Sequence, residues 1–216
     1  MFPRRLLVAL ILGAAFLTLI EIGVITVAFD KLGLSERSAL NLFLLSVLGS
    51  MINLPLFSIR RHRQTGPPHQ LPPFPWLQQR GRPDRTLIAV NVGGGLIPVM
   101  FSVYLYSWHT LPVSTVLIAI AAVSGACYLA SRPIPRLGIG MPILVGPLSA
   151  AAVAIFTYPE NSAPLAYICG TIGVLIGADL LRLPDIGRLD APVASIGGAG
   201  TFDGMFITGL IAVLLT

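Results

Sequence analysis

Charge is what this sequence lacks most. Only 11% of its 216 residues are charged, against about 25% in a typical soluble domain. Hydrophobic residues make up 55% and mean hydropathy is +0.84, more apolar surface than a soluble fold of this length can hide. Cysteine is nearly absent. Cys127 and Cys169 both fall inside apolar blocks and read as small buried hydrophobes, not as a disulfide scaffold. Histidine is equally sparse: His62 and His69 fall in one loop and His109 in another, on the other side of the expected membrane. No metal site is therefore expected, and no cofactor. The chain also lacks a phosphate loop, a zinc signature and a nucleophile elbow. The net charge of +5 comes from basic residues at the edges of apolar blocks, so no nucleic-acid partner is expected.

What is present is a series of long apolar blocks. A bilayer span needs roughly 20 mostly apolar residues. Seven blocks approach that length, at about Leu6–Phe29, Ser38–Ile59, Thr86–Tyr106, Leu111–Ala130, Met141–Tyr158, Ala163–Leu181 and Pro192–Thr216. Backbone groups in lipid must be satisfied internally, and the blocks lack the alternation of a barrel. The fold class expected is therefore all-α, a polytopic transmembrane helix bundle of about seven spans with the N-terminus inside. The Met1-Phe2-Pro3-Arg4-Arg5 start resembles a signal peptide but lacks a small-x-small cleavage signature, so it is read as an uncleaved first span.

Basic residues test this topology. The inside segments hold Arg4, Arg5, Arg60, Arg61, Arg63, Arg80, Arg82, Arg85, Arg132, Arg136, Arg182 and Arg188. The outside segments hold only Lys31 and Arg37. That asymmetry follows the positive-inside rule. Localisation in a prokaryotic plasma (inner) membrane is expected, with the lipid bilayer as the main partner.

Residues 1–216 read as a single transmembrane domain, with 60–85 as a cytoplasmic Arg/Pro-rich loop within it. Proline spacing there excludes a regular helix. Phe74 and Trp76 suit the headgroup level, and the arginines suit anionic lipid. One internal echo stands out. Asn91-Val92-Gly93-Gly94-Gly95 with Met100-Phe101 is matched by Ser195-Ile196-Gly197-Gly198-Ala199-Gly200 with Met205-Phe206. Both segments fall in spans running from inside to outside, so any repeat is parallel, not inverted.

Ionisable groups inside spans are costly and mark candidate sites. There are three: Glu21, Asp179 and Asp203. Glu21 reads as an inward-facing acid of the first span. Asp179 lies near the inner end of the sixth span, where Gly170, Gly173 and Gly177 offer a surface for close helix approach. At 100° per residue Asp179 lies opposite Gly170 and Gly177, so this span needs protein on both sides and should be central. A solvated helix end, or pairing with Arg182 at i+3, is the structural alternative for Asp179. Asp203 sits in a stretch with four glycines in eight residues, Gly197, Gly198 and Gly200 before it and Gly204 after it. Each weakens a helix by roughly 1 kcal/mol relative to alanine. The last span is therefore expected to be broken at this Gly-rich segment, with Asp203 capping its second half. In the third span Asn91, Gly93, Gly94 and Pro98 interrupt the helix in a similar way.

The segments Asn91–Pro98, Gly177–Leu180 and Gly197–Gly204, with Met205-Phe206-Ile207-Thr208-Gly209, resemble a bacterial and archaeal family of membrane proteins that forms a domain of unknown function. Two helices also resemble the presenilins and signal peptide peptidases, the Gly-x-Gly-Asp intramembrane aspartyl proteases. Leu175-Ile176-Gly177-Ala178-Asp179-Leu180 is similar to that family's first catalytic segment, with Ala178 where the family has Tyr. Gly198-Ala199-Gly200 followed by Asp203 is similar to the second, with Thr201 and Phe202 intervening. No Pro-Ala-Leu motif follows. The resemblance implies that Asp179 and Asp203 are catalytic and that a membrane-embedded peptide is the substrate.

Three readings stay open at this point. The first is an intramembrane aspartyl protease using Asp179 and Asp203. The second is a small transporter or ion/proton-coupled permease, with Asn91, Gly93, Gly94, Gly197, Gly198, Gly200 and Thr201 lining a site for a small polar substrate or ion at broken helices 3 and 7. The third is a non-catalytic membrane scaffold. Oligomeric state is not readable.

Overall fold

A computed structural model describes residues 23–60, 85–134, 138–186, 193–198 and 204–216. Glu21, His62, His69, Phe74, Trp76, Gly200, Thr201 and Asp203 lie outside the described residues.

A helix over 23–31 (α1) turns through Gly33, whose positive φ of 76° suits a residue without a Cβ. Ser35 then caps helix α2, Glu36–Gly49, by accepting the amide of Ser38 at 3.3 Å. Here the structure corrects the expectation of a continuous second span over Ser38–Ile59. The chain leaves the helix at Gly49 and becomes strand β1, Asn53–Arg60. Pro55 is the physical reason: it cannot donate to a helix ladder, and it sits on an edge strand beside a register shift between Pro55 and Phe57.

Strand β2, Arg85–Asn91, returns antiparallel to β1. Its β-branched Thr86, Ile88 and Val90 favour extended backbone. A π-turn over Val92–Leu96 leads into helix α3, Ile97–Trp108. Pro98 falls in the first turn of α3, where its missing N–H costs little. Helix α4, Val113–Ala130, is followed by a small hairpin of β3, Arg132–Ile134, and β4, Gly138–Gly140. Helix α5, Val145–Thr157, and a 3-10 turn lead to helix α6, Ser162–Val174. A π-helical stretch, Leu175–Leu180, extends α6, with Leu181 donating to Ile176 O at 2.9 Å. A single turn, α7 (Leu183–Ile186), then strand β5 (Val193–Ile196) and helix α8 (Gly204–Leu215) complete the chain.

The all-α expectation is thus corrected to a mostly helical fold that, among the described residues, also carries two sheets: three strands in the order β1-β2-β5, and the β3-β4 pair. Hydropathy alone cannot separate an apolar strand from an apolar helix, and three of the seven expected spans contain a strand. Among the described residues, two helical stretches are long and apolar enough to cross a membrane, Val113–Ala130 and Pro159–Leu180. Shorter apolar helices cover Val92–Trp108, Val145–Thr157 and Met205–Leu215.

Helix α6 is central, as its glycines implied. It packs against α3, α4, α5 and α8, and every residue from Pro164 to Thr171 is buried. A Cβ on Gly170 would lie 3.1 Å from the Ala150 methyl of α5, and one on Gly173 would lie 2.6 Å from Val123 of α4. Gly177 lets the π-stretch rest on the Ser124 carbonyl. These contacts are the small-residue helix approaches expected of an apolar bundle.

Candidate functional site

The two glycine-rich segments that echo each other in sequence lie side by side. Strands β2 and β5 pair in parallel, with Leu87 opposite Val193 and Val90 opposite Ile196. Each strand ends in a glycine-rich segment that precedes an apolar helix, α3 or α8. The contact between the two segments is backbone on backbone. A Cβ on Gly197 would sit 2.6 Å from the Cα of Gly95, and Gly197 also has a positive φ of 78°. No other residue type fits there without displacing the neighbouring turn. The matching phenylalanines of the two units, Phe101 and Phe206, both meet Phe29, with ring centroids 6.0 and 6.4 Å away.

Each glycine turn has an amide taken up by a side-chain oxygen. In the first unit Asn91, fully buried, accepts the Gly94 N–H at 2.7 Å. Its own amide donates to the Ser50 carbonyl at 2.6 Å and to Asn53 Oδ1 at 3.1 Å. Ser195 of β5 donates to the same Asn53 oxygen at 2.6 Å. Asn53 therefore ties together all three strands. In the second unit the oxygen comes from another element. Asp179, in the π-stretch after α6, accepts the Gly197 N–H at 3.2 Å through Oδ2.

The π-stretch that carries Asp179 is held from behind by Arg182. Its Nη2 donates to the Tyr128 and Ser131 carbonyls at 2.7 Å each, and its Nε donates to Ser131 Oγ at 3.0 Å. The guanidinium also stacks over the Tyr128 ring at 4.2 Å and pairs with Asp185 at 3.3 Å. Arg182 thus closes the last carbonyls of α4, where a cation complements the helix dipole.

Of the residues singled out in the sequence, Asn91, Gly93, Gly94, Gly197 and Asp179 converge at the ends of β2 and β5. Gly198 follows in the same turn, with a φ of 95°. Gly93 is where α2 crosses, and a Cβ there would collide with the Ser46 carbonyl and the Ser50 amide. Asp203 directly precedes α8 in the sequence. Sequence reasoning missed Asn53, Ser195 and the inter-helix role of Arg182. The Asn53-Leu54-Pro55 triplet was the available signal for Asn53, because asparagine and proline both disfavour a helix interior.

Fold and site together define a helix-rich, strongly apolar protein built around two adjacent strand–glycine–helix units, with a carboxylate seated on one of the glycine turns. The chain belongs to the family described as Protein of unknown function (DUF1614), whose profile matches residues 47–215 and so covers both units. No curated protein and no solved structure matches the chain.

Proposed function

We propose that this is an integral membrane protein of about seven spans in which Asp179 and Asp203 form an intramembrane acid pair for peptide hydrolysis. The observation that carries the proposal is the hydrogen bond from Gly197 N–H to Asp179 Oδ2 at 3.2 Å. A continuous last helix would have carried residue 203 deep into the bilayer, far from Asp179. Instead Val193–Ile196 is a strand, and its end meets Asp179 six residues ahead of Asp203. In the sequence Asp203 directly precedes α8, which starts at Gly204.

The chemistry follows from two adjacent carboxyls. They cannot both ionise cheaply, so they hold one proton between them. The ionised partner takes a proton from water as it attacks the peptide carbonyl, and the protonated partner delivers one to the leaving nitrogen. Those roles exchange over a cycle, so neither is assigned to one residue. The permease reading has less support, because Asn91 spends its amide on protein partners and the glycine turns press on each other.

The test is hydrolysis of a membrane-embedded reporter peptide by the protein reconstituted in lipid. Asp179→Asn and Asp203→Asn are each expected to lower the rate by about a hundredfold or more. Equal rates in wild type and both variants would overturn the proposal.

A further inference from the structure

The free end of the β1–β2 hairpin carries an arrangement that hydrolysis does not use. Arg60 and Arg85 are direct cross-strand partners, and both are exposed. Like charges set opposite one another destabilise an antiparallel pair. Directly opposite residues share a face, so both guanidinium groups emerge on the face that also bears Ser58 and Leu87. Arg85 Nη1 leans back along the strand and donates to Ser58 Oγ at 3.4 Å. In the sequence, residues 60 to 85 hold six arginines and one acid, Asp84.

Among the described residues β1 is an edge strand, and its apolar side chains are exposed. Leu54, Leu56 and Phe57 of β1 are 44%, 56% and 48% exposed, as is Ile52 before it at 52%. An open sheet edge is not tolerated inside hydrocarbon. An apolar edge strand tipped with paired arginines therefore belongs at the boundary between acyl chains and headgroups, where long basic side chains reach phosphate while their stems stay in apolar surroundings.

We infer that Arg60 and Arg85, with the Ser58 hydroxyl, form a headgroup site for an anionic phospholipid whose acyl chains lie along the exposed side chains of β1. Guanidinium groups hold phosphate through paired, charge-assisted hydrogen bonds. The bound phosphate offsets the repulsion between the two arginines and fixes the hairpin against the inner leaflet, whose negative surface potential draws basic segments. The inference rests on the membrane placement proposed above, and not on the acid pair.

The test uses the full chain purified in a neutral detergent, with bound lipid counted by native mass spectrometry after adding equal amounts of phosphatidylglycerol and phosphatidylcholine. Wild type is expected to retain phosphatidylglycerol over phosphatidylcholine by roughly tenfold. Arg60→Gln with Arg85→Gln should abolish the preference, the Arg60→Lys with Arg85→Lys variant should keep part of it, and Arg37→Gln at the opposite end should keep all of it. No preference in wild type, or a preference that survives the double glutamine variant, would overturn the site. Sodium phosphate that displaces the lipid at equal concentration would overturn the lipid as its occupant. Release of the chain from membranes by alkaline carbonate would instead sink the membrane placement, whatever the lipid counts.

Discussion

The helices α4 and α6 and the sheet-bearing half of the molecule solve the same problem by different means. On the helical side α4 runs for 18 residues and the α6 stretch for 22, about 27 and 33 Å of rise. Those lengths are close to the roughly 30 Å of hydrocarbon. Glycines 173 and 177 bring these helices together, and the backbone stays paired within each helix. On the sheet side α2 has 14 residues and α8 has 12, about 21 and 18 Å. Strands β1 and β5 continue those two elements, and β2 leads into α3. Each helix–strand junction exposes backbone amides that a continuous helix would have satisfied. Asn91 covers one such amide and Asp179 another. The comparison shows where function can lie. A helix needs no foreign side chain on its backbone, whereas a strand–glycine–helix junction draws a polar group to it.

The largest expected effect separates glycines by what they touch. Gly93→Val places side-chain atoms against the Ser46 carbonyl and Ser50 amide, and is expected to cost at least about 3 kcal/mol in reversible unfolding of the detergent-solubilised protein. Gly125→Ala in α4 has nothing within 4 Å of its new methyl and should be neutral or stabilising by up to about 1 kcal/mol. Equal stability of the two variants would break the contrast between the halves.

Asn91→Ala comes next. It strands the Gly94 amide and the Ser50 carbonyl in a fully buried position, a loss of about 2–3 kcal/mol by the same measurement. Arg182→Gln tests the helical side. It removes the guanidinium bonds to the Tyr128 and Ser131 carbonyls and should cost about 2 kcal/mol. Hydrogen exchange should show the loosening at the end of α4 and not in β2. Ser35→Ala, an exposed cap at the start of α2, is the smallest change, at about 1 kcal/mol or less.

Legibility in the sequence follows the same division. The expected fourth span, Leu111–Ala130, and the helix Val113–Ala130 nearly coincide, because a long apolar run without proline or glycine clusters has one good solution. The central place of α6 was readable from glycines on one side and an acid on the other. That the last apolar block is not one continuous helix was readable from its glycines, although the strand Val193–Ile196 that fills its start was not. The strands were not, since Ser38–Ile59 and Thr86–Tyr106 satisfy a hydropathy criterion whatever their backbone does. Asn53, Pro55 and the β-branched run Thr86–Val90 carried the missing information. The contact between Asp179 and Gly197 spans 18 residues and depends on how β5 pairs with β2, which no local pattern encodes. Asp203 and Gly200 lie outside the described residues.

The most direct measurement is the Asp179–Asp203 carboxyl separation in a reconstruction of the protein in lipid nanodiscs. A separation within about 6 Å, the reach of one bridging water, in a cavity open to the inner side is the expected result. Carboxyls well over about 10 Å apart, with and without bound peptide, would contradict the acid pair.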